Sequence, residues 1–231
     1  MERRDFIKFC AVSAAAAGAP VLAADAQPHR YAKSKLLDEK GRPLLAKAIP
    51  AHRNLIFHYP FASTPCFLLN LGKPAKASAQ LKTVDNQPYE WQGGVGPERS
   101  VVAYSAICAH KLTYPTRDIS FISYRPGKTP ANKISAVIPG CSEHSQYDPA
   151  EGARVVAGPA PQPLAAILLE HHARTDELYA VGTLGGELFN EFFSKYEFRL
   201  AMEHGAAARM AAGESCTVHP LENYCRQQVQ C

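Results

Sequence analysis

A chain of 231 residues, 46% of them hydrophobic and 20% charged, has the composition of a globular protein that buries a real core. Its net charge of +4 is small and interspersed, which argues against a nucleic-acid-binding surface as the organising feature. Seven cysteines and nine histidines are the conspicuous chemistry.

Residues 1–26 open with Arg3-Arg4-Asp5-Phe6-Ile7-Lys8, followed by a mildly apolar, alanine-rich stretch. The paired arginines before a hydrophobic pair resemble a twin-arginine export signal, and Ala24-Asp25-Ala26 supplies a small-x-small cleavage site. Such a signal carries an already folded protein across a membrane, which suits a protein that must acquire a metal group first. The apolar part is shorter than the roughly 20 residues a spanning helix needs and contains Gly18 and Pro20. Cleavage is therefore favoured over retention as an inner-membrane anchor, and a periplasmic location is expected.

Residues 27–51 are polar and basic, with Pro43 and Pro50, and suggest an extended lead-in. Apolar, β-branched and aromatic runs then recur at 54–59, 65–71, 100–107, 133–139, 153–156, 164–169 and 177–181. Each is short and bounded by Gly, Pro, Asn or Asp, the pattern of a small antiparallel β-domain over 52–183. The glycines of Gln92-Gly93-Gly94-Val95-Gly96-Pro97 lack the strand–helix setting of a dinucleotide site and mark a loop. Over 184–231 the pattern changes to a partly helical extension. It holds an aromatic stripe from Phe189 to Phe198, expected in the core, an alanine-rich helix former at 206–212, and a tail with Cys216, Cys225 and Cys231.

Two segments carry the chemistry. Cys108-Ala109-His110 follows the strand-like run 101–107, and Cys141-Ser142-Glu143-His144 follows Ala136-Val137-Ile138-Pro139-Gly140. Each places one thiol and one imidazole where a loop leaves a strand. Two loops that each give a Cys and a His can supply two thiolates to one iron and two imidazoles to the other. Zinc is the alternative reading of two Cys and two His, as a structural zinc-binding module. Structural zinc sites, however, usually pair like ligands within each motif rather than mixing them.

With Ser145-Gln146-Tyr147-Asp148 and Gly158-Pro159-Ala160-Pro161 following in order, residues 100–170 resemble the Rieske [2Fe–2S] family, particularly the iron–sulfur subunit of cytochrome bc-type quinol oxidoreductases. The resemblance implies an all-β, Rieske-type antiparallel domain with a small cluster-binding subdomain. It implies a [2Fe–2S] cluster on Cys108, His110, Cys141 and His144, with the Ser145 and Tyr147 hydroxyls bonding to its sulfurs. Hydrogen bonds to sulfur would raise the cluster's potential, and the Glu143 carboxylate beside it would lower it. Two departures stand out. Thr113 and Glu143 occupy the positions of the cysteines that bridge the loops in the quinol-oxidising proteins, and the glycine after the second histidine is missing.

The function implied is one-electron transfer from quinol to a cytochrome c, in partnership with a cytochrome b or c type protein. The alternatives are the small subunit of a periplasmic molybdenum enzyme similar to arsenite oxidase, and a free-standing periplasmic carrier. Cys66, Cys216, Cys225 and Cys231, an even number outside the ligand set, are expected to form disulfides, with Cys216 to Cys225 or Cys231 stapling the tail. The remaining histidines have no ligand spacing and are expected to be surface or satisfied side chains.

Overall fold

A computed structural model of the chain describes residues 26–128 and 134–231, so the expected export signal lies outside the described residues. In chain order the strands are β1 (His29–Leu37), β2 (Leu55–His58), β3 (Pro65–Asn70), β4 (Ala79–Lys82), β5 (Pro88–Trp91), β6 (Val101–Ser105), β7 (Ile119–Ser120) and β8 (Ile138–Gly140). Then come β9 (Ser145–Asp148), β10 (Arg154–Ala157), β11 (Ala166–His172), β12 (Glu177–Leu184) and the helix α1 (Phe189–His204). The tail adds β13 (Ser215–Thr217), β14 (His219–Pro220), the one-turn helix α2 (Leu221–Tyr224) and β15 (Gln227–Gln228). The expected all-β architecture with a partly helical C-terminal extension is what the chain adopts.

The main sheet has eight strands in the order β13-β1-β12-β11-β6-β3-β2-β14. Its pairs are antiparallel except for β1 with β13. A single residue, Val218, separates the strands at the two opposite edges, so the sheet must curl until those edges meet. The curl explains why the central runs read as continuously apolar. Leu55, Phe57, Leu68 and Ala103 fill one core, while Ile56, Phe67, Leu69, Val102 and Tyr104 fill another on the opposite face. Strands buried on both faces lose the apolar–polar alternation.

A second, three-stranded sheet, β10-β9-β8, packs against that other face. The row Val102 and Tyr104 on β6 continues through Ala106 to Cys108 in the same core, and Tyr104 Oη donates to the Pro149 carbonyl at 2.7 Å. One side of the main sheet thus feeds directly into the two Cys/His segments.

Three differences from the sequence pattern have physical causes. The stretch expected as a lead-in forms β1, whose exposed residues are polar but whose backbone pairs with β12 and β13. The alanine-rich stretch at 206–212 forms only a 3-10 turn over Gly205–Ala207, and Ala211 bridges to Phe61 instead. Alanine propensity without an apolar face to dock does not hold a short helix. In α1, Phe189, Phe192 and Phe193 are buried as expected, whereas Phe198 is 79% exposed. Among the described residues no helix is long and apolar enough to cross a membrane.

The other histidines are mostly paired, as expected: His171 with Asp176 at 2.8 Å, His172 with Thr175 at 2.9 Å, and His219 with Glu39 at 3.2 Å. His58 is the distinctive one. Its Nε2 lies 3.3 Å from Tyr224 Oη and its ring 6.0 Å from that of His204. Burial first, and then the nearby His204 and Arg117 charges, push its pKa down to about 3. In the unfolded chain His58 takes up a proton near pH 6.5, so acid favours unfolding between pH 6.5 and about 3, and the contribution is complete above that window. Urea midpoints should show wild type losing on the order of 1–2 kcal/mol more than His58→Gln between pH 7 and pH 5.

Candidate metal centre

The first loop turns back on itself just after β6. Cys108 N–H donates to the Thr113 carbonyl at 2.8 Å, and Leu112 N–H donates to the Cys108 carbonyl at 2.9 Å. Leu112 accepts a left-handed φ of 58° to close that turn. Its outer wall is the C-terminal extension: Tyr114 packs edge-on against Phe192 and Tyr196, both at 4.9 Å between ring centroids. Lys195 Nζ donates to the Lys111 carbonyl at 2.6 Å. The aromatic stripe therefore buttresses the loop that carries Cys108 and His110.

The second segment is the tip of the β8–β9 hairpin, whose register pairs Gly140 with Ser145 and Ile138 with Tyr147. Cys141 to His144 make the four-residue turn between them. His144 takes φ 59°, so it provides the left-handed step where the expected glycine is absent. Gly158, at φ 86°, holds the glycine–proline loop against this turn: a Cβ there would sit 2.5 Å from the His144 carbonyl oxygen and 2.5 Å from Ser145 Cα. Asp148 is a local cap, its carboxylate accepting from Ala150 N–H at 2.8 Å.

The two loops meet at Cys108. Its thiol is fully buried, 3.5 Å from where a Cβ on Gly140 would lie, and 3.4 Å from Tyr147 Oη. Tyr147 Oη also accepts from Ala109 N–H at 3.2 Å. Burial, and then the neighbouring Cys108, raise the Tyr147 pKa, so this hydroxyl stays protonated. Across the loops, Thr113 Oγ1 lies 3.4 Å from Ser142 Oγ, a hydroxyl pair near the places where a loop-bridging disulfide was not expected. His110 Nδ1 is 3.9 Å from Glu143 Oε2, with 25% of the His110 side chain exposed. His144 is exposed at the hairpin tip.

Four buried polar atoms at or beside the two loops have no hydrogen-bond partner: His110 Nδ1, Tyr114 Oη, Ser145 Oγ and Gln146 Oε1. Buried orphans of that kind are rare and call for a ligand or an ion. Together with the Cys108 thiol and the His144 imidazole, His110 Nδ1 and Ser145 Oγ are the donor types of a mixed-ligand iron–sulfur cluster.

Cys141 is the exception. It was expected as the second thiolate ligand, but it is disulfide-bonded to Cys231 across a sequence separation of 90, with Cα atoms 5.6 Å apart. That pairing also replaces the expected staple within the tail, because Cys66, Cys216 and Cys225 are buried free thiols. Each of their sulfurs instead faces a backbone carbonyl. In this disulfide form the site does not fit a four-ligand cluster, and among the described residues no three His, Cys, Asp or Glu side chains converge as a metal-holding group. In the dithiol form the donor types fit. The sequence marks Cys231 as a disulfide cysteine but carries no local signal that its partner is Cys141.

No protein-family model matches the chain. Among solved structures it is similar to the soluble domain of the Rieske protein II (soxF) from Sulfolobus acidocaldarius. The identity is 24%, over 66% of this chain and 78% of that one, with a TM-score of 0.46. A superposition that loose leaves the functional reading to the residues of the two loops.

Proposed function

We propose that this chain is an exported one-electron carrier built around a Rieske-type [2Fe–2S] cluster, taking electrons from a quinol and delivering them to a c-type cytochrome. The observation that carries the reading is the meeting of two loops, each with one Cys and one His, at the buried Cys108 thiol, which lies against Tyr147 Oη and Gly140. Cys108, His110, His144 and Cys141, the last as a free thiolate, would hold the cluster. When bound, the cluster supplies reversible uptake of a single electron at a potential within about −150 to +300 mV.

The chain's own residues set the conditions for that chemistry. Tyr147 is a protonated donor beside Cys108, and Ser145 places a buried hydroxyl next to it. Both favour the reduced state by offering protons to sulfur. The Glu143 carboxylate, close to His110, opposes them by favouring the more positive state. The exposed His144 imidazole can accept a hydrogen bond from a hydroquinone hydroxyl. The glycine–proline loop behind it keeps the opposite side of the turn covered.

The test is electron paramagnetic resonance of protein treated with a dithiol, loaded with iron and sulfide, and reduced. The expected spectrum has the low average g-value of mixed Cys/His ligation, and a short-chain hydroquinone should produce it from the oxidised protein. A spectrum typical of all-cysteine ligation, or zinc in place of iron in the metal analysis, would overturn the assignment. The mixed-ligand signal without reduction by hydroquinone would place the chain with the molybdenum-enzyme subunits or free carriers.

A further inference from the structure

The segment after α2 does not trail away from the site. Backbone hydrogen bonds run from Arg226 N–H to the Arg117 carbonyl, from Gln227 N–H to Asp118 and from Val229 N–H to Ser120, at 2.9, 3.0 and 2.9 Å. They align β15 in parallel with β7, Gln227 opposite Ile119. The next residues of the spacer between the two loops, from His110 to Cys141, hold the second loop: Cys141 N–H donates to the Phe121 carbonyl at 2.6 Å, and Ile122 bridges to Gly140. Arg125 then donates from Nη2 to the Val229 carbonyl at 2.9 Å, and that same carbonyl oxygen lies 3.5 Å from Cys141 Sγ. The tail is thus held against the hairpin tip by backbone pairing as well as by the bond between sulfurs. Cys231 is where the pairing delivers it.

A sulfur cannot serve both partners. A cluster ligand must be a thiolate, and Cys141 in a disulfide has none to offer. We propose that Cys231 is a thiol–disulfide latch on the cluster site, so that cluster occupancy and the Cys141–Cys231 bond are mutually exclusive states of the chain. The inference rests on the cluster reading above and adds its regulation. Release runs by exchange with an external dithiol. A dithiol thiolate attacks one sulfur of the bond, the second thiol displaces the mixed disulfide, and the dithiol leaves oxidised. Cys141 and Cys231 each gain one electron and one proton. Closure is the reverse, with an external disulfide such as oxidised glutathione reduced to two thiols as the bond forms.

The other three cysteines are poor competitors for Cys141. Cys66, Cys216 and Cys225 are buried thiols against carbonyl oxygens, whereas Cys141 and Cys231 are both partly exposed and within reach of an exchanging thiol. A tethered partner works at an effective concentration on the order of millimolar, so it captures Cys141 whenever iron lets go.

The experiment follows disulfide mapping and cluster absorbance together, in wild type and Cys231→Ser. Cluster-free wild type in oxidised glutathione should yield a Cys141–Cys231 linked peptide. Cluster-loaded wild type should yield none, with Cys231 open to alkylation and Cys141 protected. On addition of oxidised glutathione and an iron chelator, wild type should lose its absorbance roughly tenfold faster than Cys231→Ser. Equal rates of loss, or no linked peptide in the cluster-free oxidised protein, would overturn the latch while leaving the cluster intact. Failure of dithiol-treated wild type and Cys231→Ser alike to show a mixed-ligand signal would overturn the cluster reading, and the latch with it. Dithiol-treated wild type needs no substitution, so a folding defect in the variant does not decide the outcome.

Discussion

On the proposed cluster reading, Cys108→Ala treated with a dithiol and supplied with iron and sulfide should take up no [2Fe–2S] cluster, yet it should still unfold in one cooperative urea transition. The stability side follows from what the thiol touches. Cys108 is fully buried in the core that also holds Ala106, Ile138 and Tyr147, and its sulfur lies 3.4 Å from Tyr147 Oη. Its removal costs about 1 kcal/mol of transfer and cavity energy. Tyr147 Oη still accepts from the Ala109 N–H, but its own O–H loses the Cys108 sulfur, which adds the roughly 1–3 kcal/mol cost of an unpaired buried donor. The loss of the cluster is all or none, because one iron would be left with a single thiolate.

Cys66→Ala is the matched control. Cys66 is equally buried and sits in the curled sheet's own core. The variant should lose comparable stability and load the cluster normally. Iron and sulfide content, read beside the urea midpoint, checks both variants, and wild-type iron content in Cys108→Ala would remove Cys108 from the ligand set.

Phe192→Ala should be the most destabilising single truncation of the C-terminal extension, at about 3–5 kcal/mol, or on the order of 10 °C in Tm. Phe192 is fully buried at the centre of the cluster formed by Ile107, Tyr114, Phe189, Phe193 and Leu200. Its ring contacts Tyr114 at 4.9 Å and Phe193 at 5.8 Å between centroids. The same cavity undercuts the first loop, since Ile107 directly precedes Cys108 and Tyr114 directly follows Thr113, which closes its turn. The loaded variant should therefore release iron to a chelator faster than wild type. Phe198→Ala, from the exposed position six residues further along α1, should change neither stability nor release. Equal release rates in Phe192→Ala and wild type would show that the extension packs on the loop without supporting the site.

By itself the sequence determined the strand-rich class and the two Cys/His segments, for reasons that are local. The runs at 65–71 and 100–107 are apolar at nearly every position, Asn70, Ser100 and Ser105 apart, because β3 and β6 are buried on both faces, and such runs announce themselves without knowledge of their neighbours. Cys108 and His110 leave β6 together, and Cys141 to His144 turn between β8 and β9, so spacing alone groups each pair.

Other elements carry no such signal. β1, β4 and β5 alternate or mix polar residues, and their strand character comes from the backbone partners they meet. The run Ser145 to Asp148 reads as a motif, yet it is also the central strand of the small sheet. The alanine-rich 206–212 stretch had propensity and no face to bury, and packing overruled it.

The pairing of Cys141 with Cys231 belongs wholly to the tertiary structure. Ninety residues separate them, and only the spacer strand β7, gripped by the tail on one side and continuing into the contacts of the second loop on the other, brings them together. A disulfide depends on the distance between two Cβ atoms in space, and no pattern along the chain encodes that distance.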